Sequence, residues 1–327
     1  MAKVEEVVIV GGGIAGLATA VALQRVGRRD IVVLEGHSEL RATGAAISIF
    51  PNGWYALSAL GVAHKLEPYY LPFQISRITD LATGDTQELY FAGSAHRGEA
   101  GVRAMHGKAL LEALAEELPP GTIRFCSKVV SIKSGEREIA GRPELILREV
   151  TENLARGFPS DYADVVRRSD PATLTWAPLS LRAPWAVLLR RAHLTLPTRI
   201  GANANAAAAA TVAGDAFHAM TPDTAQGGSA ALEDAVALAR CVGADAGGGG
   251  AAAVGRYVAE RRWRAAGLVA GAYVAGWVQQ GGGGGGARAG VWAWLVKWFR
   301  DWVFYRFIFP RILDAAWYNC GDLTPPL

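Results

Sequence analysis

The period of the apolar positions changes several times along this chain. Residues 5–27, EEVVIVGGGIAGLATAVALQRVG, open with a short unbroken apolar run, cross a cluster of glycines and continue with helical spacing. That is the pattern of a buried strand turning into a helix. A second apolar run, DIVVLEG at residues 30–36, predicts the next strand. Far downstream, GSAALEDAVALARCV (228–242) and YVAERRWRAAGLVAGAYVAGWVQQ (257–280) are helical by period. In GVWAWLVKWFRDWVFYRFIFPRIL (290–313), Trp294, Trp298 and Trp302 recur every four residues, so they share one face, with Lys297, Arg300 and Arg306 elsewhere around the helix. Stripes of this kind are usually core faces, so a C-terminal helix packed on the core is expected; a membrane-surface helix or a dimer contact is the alternative.

Low-complexity stretches interrupt the pattern. ANANAAAAATVAGD (202–215) stands where an ordinary strand is expected, and GADAGGGGAAAVG and QQGGGGGGARAG read as flexible linkers between helices. With 327 residues, about two domains are expected, and 51% hydrophobic residues suffice for a sizeable core. The net charge of +3 is mild and charges of both signs are interspersed, which argues against a nucleic-acid partner. Three scattered cysteines fit a reducing compartment better than a disulfide framework. Six scattered histidines give no metal-ligand cluster. The N-terminus enters a strand almost at once, so no signal or transit peptide and a cytoplasmic location are expected, and no apolar run is long enough to predict a membrane span.

The glycine cluster carries the first chemistry. As G-x-G-x-x-G it comprises Gly11, Gly13 and Gly16. In that motif the first glycine allows the tight turn, the second lets a pyrophosphate approach the backbone, and the third lets helix and strand pack closely. The helix N-terminus supplies free N–H groups and the positive dipole end. Glu35 closes the second strand, nineteen residues after Gly16, where an acidic residue accepts hydrogen bonds from a ribose. The fingerprint leaves NAD and FAD open. A second segment, TVAGDAFHAMTPDTAQGGSAALEDA (211–235), sets a buried-looking Asp215 among small residues, then Pro222, then Gly227 and Gly228 at a helix start. A tight helix entry with Asp215 as a mere cap is the plainer alternative.

Together, these motifs make the chain resemble the FAD-dependent aromatic-ring monooxygenases, nearest to plant salicylate-hydroxylase-like and zeaxanthin-epoxidase-like proteins. The likeness covers residues 5–65, GVRAMHGKALLEALAEELPPGTIRFCSKVVSI, and the stretch from TWAPLSLRAPW through GDAFHAMTPDTAQGG to YNCGDL. It implies an α/β fold: a Rossmann-like FAD-binding domain of the glutathione-reductase type, discontinuous over 1–140 and 200–250, with a reduced substrate region at 141–199 and C-terminal helices at 251–327. It implies FAD as cofactor and NAD(P)H as reductant, with O2 and a small aromatic or unsaturated molecule as substrates. Asp215, after Gly214, would accept a hydrogen bond from a ribityl hydroxyl. Pro222 would lie beside the isoalloxazine, and Gly227 and Gly228 would turn helix N–H groups toward it. Gly36, Arg41, Arg103 and Val129 complete the implied cofactor contacts. His218 and Arg182 are placed to face a substrate, and no catalytic side chain is assigned.

The chain also departs from the family pattern. Gly107 stands where relatives carry an arginine, Ala219 where they carry proline and Ala225 where they carry glycine. The Asp-Gly motif and most of the substrate-roofing sheet are missing after residue 133, where SGEREIAGRPELILREVTENLARGFPSDYADVV passes straight to a helical pattern. TLTWAPLSLRAPWAVLL (173–189) is expected to be that sheet's one late strand, with Arg182 on it. A truncated FAD-binding relative without coupled hydroxylation, or another FAD-dependent oxidoreductase, remains the alternative function.

Overall fold

The computed structural model describes residues 7–41, 46–73, 75–79, 84, 86–90, 101–129, 164–165, 168, 181–189, 193–197, 207–244, 250–279 and 289–323. Residues 130–163, where the family pattern would carry the Asp-Gly motif, and the glycine-rich stretches 245–249 and 280–288 lie outside the described residues. The described chain belongs to two units, one of residues 1–72, 99–128 and 180–327, the other of residues 73–98 and 129–179.

The first unit begins as the sequence predicts. Strand β1 (Val7–Val10) leads through the glycines into helix α1 (Ile14–Arg25), and β2 (Ile31–Leu34) returns parallel to β1, pairing Val7 with Ile31 and Val10 with Leu34. Strand β3 (Ile47–Ile49) follows, then helices α2 (Pro51–Ala59) and α3 (Ala63–Leu66). The second unit contributes the antiparallel hairpin of β4 (Ile75–Thr79) and β5 (Thr86–Tyr90). Back in the first unit, β6 (Arg103–Met105) runs antiparallel to β3, α4 (Gly107–Ala115) follows, and β7 (Ile123–Arg124) joins β2 in parallel. The parallel sheet therefore has the order β1-β2-β7.

Helix α5 (Pro184–Leu189) corrects one expectation. The residues 181–183 are irregular and 184–189 are helical, so the predicted late strand is not one over its described part. Proline suits a helix's first turn, because its missing N–H is one that has no intrahelical partner there. Strands β8 (His193–Pro197) and β9 (Ala207–Thr211) form an antiparallel pair. The alanine run is thus a strand after all, held by pairing that overrides its weak intrinsic preference. The short helix α6 (Asp215–His218), a 3-10 turn (Pro222–Thr224) and the helices α7 (Gly227–Gly243) and α8 (Gly250–Gln279) follow. Gly250 already lies in α8, although its composition reads as linker. Helix α9 (Ala289–Phe299) runs into a π-helical segment (Arg300–Ile308) and then α10 (Phe309–Asp314).

One apolar cluster joins Leu17 and Val21 of α1, Leu57 of α2, Leu110 and Leu114 of α4, and Leu232 and Val236 of α7. A second gathers Phe217, Leu238, Tyr257 and Val269. Helix α1 is buried continuously from Leu17 to Leu23, and α7 from Ser229 to Ala239. Small and aliphatic residues fill most of both stretches, as such central positions require, and Glu233 and Asp234 of α7 are the charged exceptions. The Trp stripe behaves otherwise: Trp294, Trp298 and Trp302 are exposed, whereas Val296, Phe304 and Phe309 are buried. The tryptophans are not the core face they were expected to be.

Candidate functional site

The glycine motif takes the shape its chemistry needs. Gly11 has φ +103°, a left-handed conformation that glycine adopts without penalty, and its N–H donates to Leu34 O. A Cβ on Gly16 would fall 1.9 Å from Gly11 O, so only glycine lets α1 sit this close to the turn. On Gly13, at the exposed start of α1, a Cβ would meet no protein atom within 4 Å. Space is open there for a ligand, and the first N–H groups of α1 have no side-chain cap.

Glu35 is held beside this turn. Its Oε2 accepts from Gly12 N at 2.7 Å, and its Oε1 accepts from His37 N at 2.9 Å and contacts His37 Nδ1 at 2.8 Å. Partial burial raises its pKa, but the N–H groups of His37 and Gly12 and the His37 ring outweigh that, so the carboxyl is net lowered and stays ionised. Each carboxylate oxygen has two lone pairs, so acceptor capacity remains for a ribose hydroxyl.

The Gly214–Asp215 turn, two hundred residues away in sequence, comes to the same place. Gly214 has φ +59°, and a Cβ there would meet the Ala15 side chain, in the first turn of α1, at 2.8 Å. Asp215 is exposed, not buried as its setting among small residues suggested, and it opens α6. Pro222 is exposed at the start of the 3-10 turn. The hydroxyls of Thr221 and Thr224, on either side of it, are buried and have no hydrogen-bond partner among the described residues. Gly227 and Gly228 begin α7, whose N-terminus also lacks a side-chain cap; a Cβ on Gly228 would strike Ile47 at 2.5 Å. Two uncapped helix starts, an open glycine and orphaned hydroxyls fit a long ligand bearing phosphates and polar groups.

The other expected cofactor contacts are less gathered. Gly36 and Arg41 are exposed in the stretch after β2. Arg103, on β6, donates from Nη1 to Tyr70 O at 3.2 Å and lies over the Trp54 ring at 4.7 Å. Val129 is exposed and belongs to the second unit. Arg182 lies in an irregular stretch, and its N–H donates to Ala219 O.

Beneath the turn sits a charged network that sequence reasoning missed. Asp234 Oδ2 accepts from Gly214 N at 2.9 Å and contacts His218 Nε2 at 2.6 Å. Arg261 Nε donates to Asp234 Oδ1 at 2.7 Å and its Nη1 to Glu233 Oε2 at 2.5 Å. Arg264 grips both Glu233 oxygens, at 2.6 and 2.5 Å, and Asn52 Nδ2 donates to Glu233 Oε1 at 2.6 Å. Glu233, Asp234 and His218 are completely buried. His218 therefore faces the core, not a substrate. Burial opposes ionisation of Asp234, but His218 and Arg261 outweigh it and hold its pKa at about 2. Burial likewise opposes the charge on His218, and the Asp234 carboxylate reverses that, leaving its pKa raised. The sequence signal was the adjacent pair Glu233-Asp234 inside the otherwise apolar run 230–239, matched by Arg261 and Arg264 one turn apart on α8.

One departure from the family pattern has a structural consequence. Ala225 has φ +50°, in the left-handed region, at the position where the family resemblance leads one to expect glycine. Gly107 is simply the first residue of α4.

Comparisons with known proteins agree with this geometry. The sequence profile of the FAD dependent oxidoreductase family matches residues 6–98. Monooxygenase 1 of Arabidopsis thaliana is 31% identical over 374 aligned positions, covering 83% of this chain and 89% of that protein. Monooxygenase 2 of the same plant is 28% identical, covering 98% of each. That second alignment has 428 positions against 327 residues here, so this chain is shorter inside the matched span. The fold resembles Klebsiella pneumoniae HpxO: a single-residue variant complexed with FAD has a TM-score of 0.72 at 18% identity, covering 98% of this chain and 100% of that one. With FAD and uric acid bound, HpxO has a TM-score of 0.67 at 17% identity, covering 98% of both. An α/β fold with a glycine-turn helix at a Gly-Asp turn, and relatedness along most of its length, make this chain a member of the FAD-dependent monooxygenases, with FAD as its cofactor.

Proposed function

We propose that the chain uses NAD(P)H and O2 to insert one oxygen atom into a small aromatic or unsaturated molecule. The observation that carries this is the meeting of the two motifs, with Gly214 against the first turn of α1. The FAD-binding domain comprises 1–140 and 200–250, with 141–199 as the remnant of the substrate region and 251–327 as a helical appendage. When bound, FAD would supply the redox chemistry, accepting hydride equivalents and activating O2. The protein's part is to bind and orient it.

In this assignment Gly11, Gly13 and the N–H groups at the start of α1 receive the pyrophosphate, and Glu35, with Gly36 beside it, receives the adenosine ribose. Asp215 accepts from the ribityl chain. Pro222 and the start of α7, at Gly227 and Gly228, border the isoalloxazine and favour negative charge on it. Arg41 and Arg103 supply positive charge near the cofactor. Three free cysteines suit the cytoplasmic setting that belongs to this proposal.

Asp215→Ala tests the assignment. Loss of a hydrogen bond to a charged group weakens FAD by about ten- to a hundredfold in dissociation constant. Flavin fluorescence titration of the apoprotein measures it. An unchanged constant would reduce Asp215 to a turn residue, and a purified chain that neither carries nor takes up FAD would refute the proposal altogether.

A further inference from the structure

We propose that the exposed aromatic stripe on the C-terminal helices docks the protein onto an anionic lipid surface. Trp294, Trp298 and Trp302 are 62%, 48% and 62% exposed, and Phe307 continues the line at 53%. The spacing is four, four and then five residues, and the five falls within the π-helical segment. A π-turn closes i to i+5 and takes more residues than an α-turn, so the wider step keeps Phe307 in line with the tryptophans. The buried residues obey the same shift, with Phe304 and Phe309 five apart. Two faces thus persist along the whole stretch, and both are aromatic.

The outer face is costly in water. At roughly 250 Å² per tryptophan, the three rings leave about 400 Å² exposed, the size of the largest apolar patch on an ordinary monomer, which is often functional. Its shape is a line about 20 Å long from Trp294 to Phe307. A straight amphipathic line suits a plane better than a pocket.

Charge selects the occupant. Arg306 and Arg311 are exposed beside Phe307: the Arg306 guanidinium lies 5.6 Å from the Phe307 ring centroid, and Arg311 Nη1 donates to Phe307 O at 2.6 Å. Lys297 is half-buried, and Arg300 is engaged by Asp301. Asp314 is the one exposed carboxylate among the described residues of these helices. Tryptophan with arginine is the composition of an interfacial helix on anionic lipid, the rings at headgroup depth and the cations on phosphate. A second copy of the chain would offer Arg306 and Arg311 little exposed acid along this same stretch, where Asp314 is the one exposed carboxylate among the described residues. None of the described helices is long and apolar enough to cross a membrane, so the contact is peripheral.

The experiment uses the full FAD-loaded chain with two kinds of vesicle, phosphatidylcholine alone and phosphatidylcholine mixed with phosphatidylserine. Co-sedimentation is expected with the mixed vesicles, weakened by salt, together with quenching of tryptophan fluorescence by brominated acyl chains. Reversing both cations, R306E with R311E, is expected to weaken binding at least twentyfold, at about fivefold or more for each cation. Flavin content and circular dichroism of the variant check that it folds, and the quenching measurement needs no variant. No quenching and no sedimentation with either vesicle would overturn the proposal. So would a dimer that Trp298→Ala dissociates, since that would give the stripe to a second copy.

Discussion

At the scale of the residue, Ala225 shows how a departure from the family pattern acts. Its φ of +50° lies where a side chain crowds the neighbouring carbonyl, and glycine pays no such penalty. Ala225→Gly should therefore stabilise the protein by about 1 kcal/mol, despite adding freedom to the unfolded chain. Chemical denaturation would measure it as a raised midpoint with unchanged slope; a lowered midpoint would mean that the left-handed conformation is not strained here. Gly13 is the converse case. Among the described residues nothing requires it to be glycine, since a Cβ there would meet no atom within 4 Å, and the proposed cofactor gives its small size a purpose.

At the scale of the element, α7 and α8 are joined by ions as well as by apolar packing. Glu233 and Asp234 are completely buried on α7, and Arg261 and Arg264 reach them from α8. Arg261→Met would remove one guanidinium and leave buried carboxylate charge short of compensation, at a cost of about 3–5 kcal/mol. Urea unfolding would reveal a cost under about 1 kcal/mol as evidence that water replaces the arginine. The same network sets a pH signature. Asp234 falls from 3.8 to about 2 on folding, so its contribution is present above 3.8 and disappears as pH falls toward 2. His218 is raised above 6.5, so its contribution is full below 6.5 and is lost as pH rises through its folded value. The stability difference between the wild type and Asp234→Asn should then peak between 3.8 and 6.5 and shrink on both sides, which melting temperatures across pH would show. A difference that stays as large below 3.8 and well above 6.5 as it is between them would mean that neither group titrates in folding.

At the scale of the whole molecule, the question is how well one unit that gathers the cofactor motifs serves a reaction that must exclude water. The chain is shorter than Monooxygenase 2 inside the matched span, and its sequence lacks the Asp-Gly motif expected after residue 133. Oxygen transfer is efficient where the flavin is sheltered and the substrate is held over it. We therefore expect NAD(P)H consumption to be poorly coupled, with most of it appearing as H2O2. Parallel assay of NAD(P)H, H2O2 and oxygenated product tests this; one product per NAD(P)H with little H2O2 would show that the short chain shelters its flavin adequately.

The sequence by itself determined the strand–glycine–helix start, the position of Glu35, the Gly214–Asp215 turn and the helices α7 and α8. Each of these rests on local spacing or backbone conformation, which a window of residues contains. It also misjudged elements whose fate depends on distant partners. The stretch at 184–189 is a helix, the alanine run became a strand by pairing with β8, and Asp215 is exposed whereas Asp234 is buried. Only the tertiary structure decided that Gly214 lies against Ala15, that Asp234 supports Gly214 and His218 from below, and that the tryptophans face outward. The reason is physical: periodicity specifies that a helix has two unlike faces, but which face is buried, and which charge meets which, follows from what packs against it.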